Sequence, residues 1–593
     1  MDYKSRKDIP EQYKWNLSLI FADVNAWEKA FAEASGYAEI MAKFKGKLGD
    51  PAQLLAFFRL SDEQGEVLNR LALYCNMRSH EDLRDNFFNE LCGRFDNMVA
   101  QYSASVAFAN PEIIASYSEE KLLAMSESPR FADYSYMLKE LARNKKHVLS
   151  EKEELLLSQG SVVFGRNSTT FSLFDNADVK WEDAKDKRGR KHKMSHGAYG
   201  TYLYSKDRVL RKNAHNSMMK GYKDYINVLS SVYAGNVDKD LFLARARGFD
   251  TCLEKAMNSE NVDVAAYNNL IDAVHKAIPT LKSYRNYRSK IMGISEAKAY
   301  DMYVNTEDTS DVKYTYDEAH DLVVKALSVL GDDYVALLKR AKDERWIDVY
   351  ETPGKRSGAY SWGCHTTLPY MLLNFMGTRN DVFTLAHEMG HSMHSYYSSQ
   401  NQPIAKSSYE IFVAEIASTV NETLLLKYLL KDADKKTRRE LLGYRLDMFK
   451  STVFRQTLFA EFEKQAHEVV EKGGALSAGS LCGMYQKLNE EYYGKGYCTP
   501  YIKYEWARIP HFYTAYYVYK YATGLISATV IAEDIFNGKE GAVENYKKFL
   551  SAGGSMPPLE ILRLTGVDLT TSAPFEQAMQ VFKDTLKEFK KAK

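Results

Sequence analysis

The sequence lacks any apolar run near the roughly 18 residues that a membrane-spanning helix requires. Its opening segment, MDYKSRKDIPEQYKW, is charged and has no apolar core of the kind found in signal peptides. An excess of one charge is also missing, since Lys plus Arg total 79 and Asp plus Glu total 78. We therefore expect neither a membrane span nor a nucleic-acid partner.

Cysteine and proline are both scarce. The six cysteines are scattered and form no CxxC pair, so a disulfide framework is not indicated, and we expect reduced thiols in a cytoplasmic protein. The 13 prolines in 593 residues leave long stretches free to form helices. These absences favour a protein that is mostly α.

Amphipathic spacing supports the helical prediction. In the segment after Pro51, apolar residues recur at helical intervals, and Asp50 is expected to cap that helix. Residues 179–204, rich in Lys, Asp and Gly, indicate a hairpin or exposed loop near a domain boundary. A second interruption, 346–375, contains strand-like pieces at 359–362 and 370–375. We expect a small β element there.

The segment that follows contains His387-Glu388-Met389-Gly390-His391, an HExxH motif. On a helix, residues four apart share one face, so both imidazoles can bind one zinc ion. Glu388 is then close enough to act as general base on the attacking water. Asp381 is a candidate N-cap for this helix. The motif predicts a zinc hydrolase.

Zinc in a hydrolase needs a third protein ligand. His394 is seven residues after His387, about 10.5 Å along a straight helix, which is too far for a shared ion. The extended metzincin motif is absent, because His394 and Tyr397 stand where Gly and His would be required. His394 is therefore expected to pack beside the site.

A better third ligand lies on the next predicted helix. Glu415 stands there among apolar residues, where a buried carboxylate would need a partner such as zinc. If Glu415 faces solvent instead, Glu410 and Glu422 are equal rivals. Spacing alone leaves this choice open.

HEMGHSMHS followed by FVAEIAST resembles the thimet oligopeptidase family of metallopeptidases, peptidase family M3. PYMLLNFMGTRNDVFTLAHEMGH and IPHFYTAYYVYKYATG are similar to its oligoendopeptidase F branch. The resemblance covers roughly residues 206–582. It implies that Glu415 is the third zinc ligand, and that two helical halves enclose a deep channel for short peptides. Residues 1–200 would form its wall or lid, and 201–593 the catalytic domain.

The resemblance also implies oxyanion donors in the segment HFYTAYYVYKY. The candidates are His511, Tyr513, Tyr516 and Tyr519, on a helix expected to start at Pro510, although a tyrosine stripe is more often core or channel wall. The strand-like residues Gly358, Ala359 and Tyr360 either bind substrate main chain or form an ordinary hairpin over the zinc helix.

The resulting prediction is a zinc-dependent oligoendopeptidase with one Zn²⁺ per chain, acting on internal bonds of short unfolded peptides. Two alternatives are kept. A carboxydipeptidase of the same family would trim ends, and a peptide-binding protein would hold a structural metal. The intact Glu388 and the lack of an obvious fourth ligand argue against a structural site.

Overall fold

The computed structural model describes residues 3–307 and 312–592. Most of these residues are helical and few are in strands, which confirms the mostly α prediction. The α-helices of the described residues, numbered α1 to α26 in chain order, are Val24–Ala34, Tyr37–Ala42, Pro51–Glu81, Asn86–Val106, Ala109–Ser116, Glu119–Ser126, Ser135–Asn144, Glu151–Gln159, Ser161–Leu173, His196–Leu203, Arg208–Lys223, Ile226–Ala246, Cys252–Ser259, Val264–Ile291, Tyr316–Ala326, Asp332–Asp343, Arg379–Asn401, Ile404–Ser407, Ile411–Lys431, Lys435–Met448, Arg455–Glu471, Ala478–Tyr493, Tyr519–Phe536, Ala542–Ser551, Pro558–Arg563 and Ala573–Lys591.

Helix α3 begins where its sequence predicts. The Asp50 side chain accepts a hydrogen bond from the amide of Ala52, and Pro51 occupies the first turn, where its missing N–H has no cost. Leu54, Leu55 and Phe58 are buried on one face of the helix, as amphipathic spacing requires. The predicted N-cap is confirmed.

Five short strands are present in the described residues. Strands β1 (Ala184–Lys185) and β2 (Lys191–His192) form an antiparallel hairpin, as predicted for this region. The rest of residues 179–204 was expected to be hairpin or loop, but His196–Leu203 forms helix α10. Ser195 caps that helix by accepting from the amide of Ala198, and this cap starts a helical turn.

The second sheet contains the predicted β element. Strand β4 (Tyr360–Trp362) pairs antiparallel with β5 (Tyr370–Leu372), and β5 pairs parallel with β3 (Ile347–Asp348). The strand order is β3-β5-β4, so β4 is an edge strand. Both predicted strand segments are confirmed, whereas β3 was not predicted.

The chain forms two compact helical units, each built from three stretches of sequence. Unit 1 comprises residues 3–148, 312–429 and 531–567, and one of its cores packs Trp27, Leu71 and Tyr74 with Tyr370 and Leu372 of β5. Unit 2 comprises residues 149–307, 430–530 and 568–592. Its core contains an aromatic cluster of Tyr233, Phe462, Trp506 and Phe512.

The two helical units agree with the predicted two helical halves, while the predicted channel and the domain division at residue 200 stay predictions. None of the described helices has the length and apolarity needed to cross a membrane. All six cysteines are free, as the scattered spacing predicts.

Candidate active site

Helix α17 carries the HExxH motif and belongs to unit 1. Thr378, not Asp381, is its N-cap. The extended backbone of Thr378 lets its hydroxyl accept from the Asp381 amide, while the Asp381 carboxylate accepts from the Thr378 amide at 2.8 Å. The predicted N-cap at Asp381 is thus wrong by three residues, because Asp381 is the second member of a capping box.

Three predicted ligands converge in unit 1. The Nε2 atoms of His387 and His391 are 3.2 Å apart, and Glu415 Oε2 lies 3.4 and 3.5 Å from them. Ligand atoms of a tetrahedral zinc ion, each about 2.0–2.1 Å from the metal, are roughly 3.3 Å from one another. The donor set therefore fits zinc in both chemistry and spacing. No other group of three such donors occurs in residues 3–307 and 312–592.

Glu422 fixes the orientation of the first imidazole. Its Oε1 lies 2.6 Å from His387 Nδ1. Since a carboxylate only accepts, Nδ1 must carry the proton, which leaves the lone pair of Nε2 directed at the convergence point. Glu422 is therefore placed to orient His387, and it does not compete with Glu415 for the position of third zinc ligand.

A close contact between two helices brings Glu415 to the motif. A Cβ on Gly390 would come within 2.5 Å of the Ser418 Cα in α19, so glycine is required there. The Asn421 side chain also donates to the Ala386 carbonyl at 3.1 Å. Glu410 precedes α19, whereas Glu415 lies within this helix, and its carboxylate reaches both histidines.

The structure contradicts the expectation that Glu415 is buried. The carboxylate is not buried, because its side chain is 48% exposed and points away from the apolar core of α19. Ser418 donates to its Oε2 at 3.2 Å. The donor set thus opens to solvent, as a catalytic zinc site with a free coordination position requires.

Glu388 is enclosed beside the two imidazoles, with 6% of its surface exposed. Its Oε2 has no hydrogen-bond partner among the described residues. Burial raises the pKa of this carboxyl above its ordinary value, opposed by His387 and His391 and reinforced by Glu415 and Glu422. An acceptor in this position can take a proton from a water molecule at the donor set.

His394 packs beside the site as predicted. It is fully buried, and its ring stacks on Tyr409 at 3.7 Å with an interplanar angle of 7°. Neither ring nitrogen has a partner in the described part of the chain. Burial lowers the pKa of His394 to about 3, so the ring is neutral near pH 7.

Side chains on both faces of strand β4 hold it in place, and one of them bonds to α17. Ser361 Oγ is 2.8 Å from Ser392 Oγ of α17, and Tyr360 Oη is 2.7 Å from His80 Nδ1. Arg356 can only donate to His80 Nε2, so His80 Nδ1 donates to Tyr360. Within the described residues, no strand pairs with the outer edge of β4.

The aromatic segment lies in unit 2 and differs from the expected helix. Pro510–Tyr513 is one 3₁₀ turn, and α23 begins only at Tyr519, because Tyr516 has a left-handed backbone with φ of 55°. Tyr513, Tyr516 and Tyr519 are buried, whereas the predicted donor His511 is half-buried. The half-buried Tyr517 was not among the predicted residues, and its ring stacks on His511 at 5.9 Å.

The chain is similar to known proteins along most of its length. The sequence model of peptidase family M3 matches residues 201–581, and that of oligopeptidase F matches residues 114–181. Oligopeptidase PepF of Bacillus subtilis is 39% identical over 98% of this chain and 88% of that protein.

Two crystal structures are similar over nearly the whole chain. A protein from Chlamydophila abortus is 32% identical with a TM-score of 0.94, and the match covers 100% of both chains. Oligoendopeptidase-F from Enterococcus faecium is 31% identical with a TM-score of 0.74, over 95% of this chain and 98% of that one. The matching sequence model, these relatives and the HExxH donor set together place the chain in peptidase family M3.

Proposed function

We propose that this metallopeptidase is a zinc-dependent oligoendopeptidase that hydrolyses internal bonds of short unfolded peptides. The observation that carries the proposal is the convergence of His387, His391 and Glu415 next to the enclosed carboxyl of Glu388. The names of the Bacillus subtilis and Enterococcus faecium relatives support oligopeptides as the substrate class.

His387, His391 and Glu415 would hold the ion, and Glu422 would keep the first imidazole in the ligating tautomer. A bound zinc ion supplies a Lewis acid that polarises the scissile carbonyl and acidifies a water molecule. Three protein ligands and an accessible face leave room for water or substrate, which favours a catalytic site over a structural one.

Glu388 performs the proton transfers. Its unpartnered Oε2 accepts a proton from the attacking water as the new C–O bond forms. The same carboxyl then delivers this proton to the amine as the C–N bond breaks. Burial raises the pKa of Glu388 above its ordinary value, so its carboxylate accepts a proton more readily than an exposed glutamate would.

The outer edge of β4 is proposed to bind the substrate main chain. Gly358, Ala359 and Tyr360 belong to this strand or lead into it, and Ser361 anchors it to the zinc helix. Backbone pairing with an edge strand recognises an extended peptide with little dependence on its side chains. This mode of binding suits a peptidase that acts on varied short peptides.

The aromatic segment is proposed to stabilise the oxyanion, with His511, Tyr513, Tyr516 and Tyr519 as candidate donors. His511 is the most accessible of the four. The three tyrosines are buried, so their use as donors requires the segment to move. Residues 1–200 are proposed to form the wall or lid of a peptide channel, and 201–593 the catalytic domain. A cytoplasmic location is proposed on the basis of the free cysteines.

The test uses a peptide of about ten residues with both termini blocked, and mass spectrometry of its products. Cleavage at internal bonds is the expected result. The same peptide with a free carboxyl terminus serves as the control. Cleavage of the control alone would identify a carboxydipeptidase, and binding of both peptides without cleavage by zinc-loaded protein would identify a peptide-binding protein.

A further inference from the structure

The aromatic segment of unit 2, Pro510–Tyr519, contains a backbone conformation that its sequence does not favour. Tyr516 has φ of 55°, one of few positive values at residues other than glycine in the described chain. Left-handed backbone crowds a Cβ, so a tyrosine remains there only when its surroundings hold it. The side chains of Glu463 and Asn236 hold this turn.

Glu463 of helix α21 provides the first anchor. The backbone N–H of Tyr516 donates to Glu463 Oε1 at 2.7 Å, and the carboxyl is fully buried. Its Oε2 has no partner within the described residues. A hydrogen bond buried this completely has no water to replace it, so its loss would leave the Tyr516 amide unsatisfied.

Helix α12 provides a second anchor at the other end of the turn. Asn236 is buried, and its Nδ2 donates to the Phe512 carbonyl at 3.4 Å and to Asp240 Oδ2 at 3.3 Å. The ring of His467, one turn after Glu463, lies 4.9 Å from the Tyr516 ring. Side chains of two helices therefore bond to the main chain of the segment at residues 512 and 516.

The anchored turn determines which rings are accessible. With its amide bound to Glu463, Tyr516 directs its ring into the core against Tyr267 at 5.6 Å. The next residue, Tyr517, is left half-buried and stacked on His511. Tyr521 extends this group, with its hydroxyl 3.5 Å from His511 Nε2.

We propose that Glu463 is a positioning residue, which fixes the left-handed turn at Tyr516 and thereby presents His511 and Tyr517 on the accessible side of the segment. The effect on catalysis rests on the proposed function, in which this segment supplies oxyanion donors. Nothing in the HExxH signature points to Glu463, which lies 53 residues before Tyr516 and accepts a hydrogen bond from its backbone N–H.

Two substitutions at Glu463 distinguish the loss of the hydrogen-bond acceptor from the loss of the carboxyl charge. Glu463→Gln keeps a carbonyl oxygen for the Tyr516 amide, and burial raises the pKa of Glu463 to about 8, so a neutral amide is a close substitute. Glu463→Met keeps the volume but removes the acceptor. On the same helix, Glu461→Met is the matched control, because Glu461 bonds to His275 and Tyr492 and not to the aromatic segment.

The first measurement is hydrogen exchange at the Tyr516 amide in the zinc-loaded full chain. We expect exchange at least about tenfold faster in Glu463→Met, and rates near wild type in Glu463→Gln and Glu461→Met. Unchanged exchange in Glu463→Met would overturn the proposal. This measurement is independent of peptidase activity, so it also decides the positioning role if the proposed function fails.

The second measurement is steady-state cleavage of the doubly blocked peptide. We expect kcat of Glu463→Met to fall about 10- to 100-fold with KM nearly unchanged, and Glu463→Gln to restore it, because donor placement affects the transition state more than binding. Faster exchange of the Tyr516 amide in Glu463→Met, together with a wild-type kcat, would refute the link between this turn and catalysis. If Glu463→Met does not fold, Glu463→Asp withdraws the oxygen by one methylene and is expected to show the same changes.

Discussion

Replacement of Glu388 by glutamine is the most informative single perturbation of the proposed mechanism. Glutamine has the same shape as glutamate, so the donor atoms of His387, His391 and Glu415 keep their spacing of 3.2–3.5 Å. The change removes only the ability of residue 388 to accept and return a proton. We therefore expect zinc to stay bound while turnover is lost.

The magnitude follows from the enclosure of this carboxyl. Glu388 is 6% exposed, so bulk buffer has little access to replace it as a base. General acid–base catalysis contributes about 10²- to 10⁴-fold, so kcat should fall by that factor, equal to about 3 to 5 kcal/mol of barrier. KM should change little, because the substrate edge of β4 is untouched.

The assay combines cleavage of an internally quenched peptide with measurement of zinc per chain. Glu410→Gln is the matched control, since this exposed glutamate precedes α19 and lies outside the donor set, and it should keep the wild-type rate. A Glu388→Gln variant with more than about a tenth of wild-type kcat would refute the base assignment. Loss of zinc together with activity would instead assign Glu388 a role in metal binding.

Three further predictions concern the surroundings of the donor set. Glu422→Ala should weaken zinc affinity about 10- to 100-fold in a chelator competition, because His387 loses its orienting partner, and unchanged affinity would contradict this. Gly390→Ala should lower the free energy of unfolding by about 1–3 kcal/mol in urea, because its Cβ would lie 2.5 Å from Ser418 Cα. A variant as stable as wild type would show that α17 and α19 can move apart without cost. In the folded protein burial lowers the pKa of His394 to about 3, whereas the unfolded value is near 6.5. The stability that the neutral ring contributes is therefore complete above about pH 6.5 and is lost as the pH falls from there towards 3. Between pH 7.5 and pH 5, His394→Phe should therefore lose about 2 kcal/mol less stability than wild type, and an equal loss would refute the buried neutral state.

The sequence was sufficient for the parts of the site that depend on local geometry. The spacing of His387 and His391 is a property of any helix, and both rings do face one point. The strand segments around Tyr360 and Tyr370 were also predictable from local composition. Glu415 required the family resemblance, because the argument from burial failed for an exposed side chain.

Features that depend on distant residues could not be predicted in this way. The role of Glu422 follows from the packing of α19 on α17, which no local pattern reports. The tyrosine segment was expected to be one continuous helix, but the bond from the Tyr516 amide to Glu463 holds a left-handed turn. Buried tertiary contacts override helical preference at such positions.

The decisive measurement for the proposed zinc site is the zinc dependence of internal cleavage. Protein stripped with a chelator is assayed on the doubly blocked, internally quenched peptide, before and after titration with zinc. We expect no cleavage by stripped protein and full recovery at one zinc ion per chain, with no recovery in a His387→Ala variant. Full activity in the stripped protein, or recovery in His387→Ala at the same zinc concentration, would contradict it.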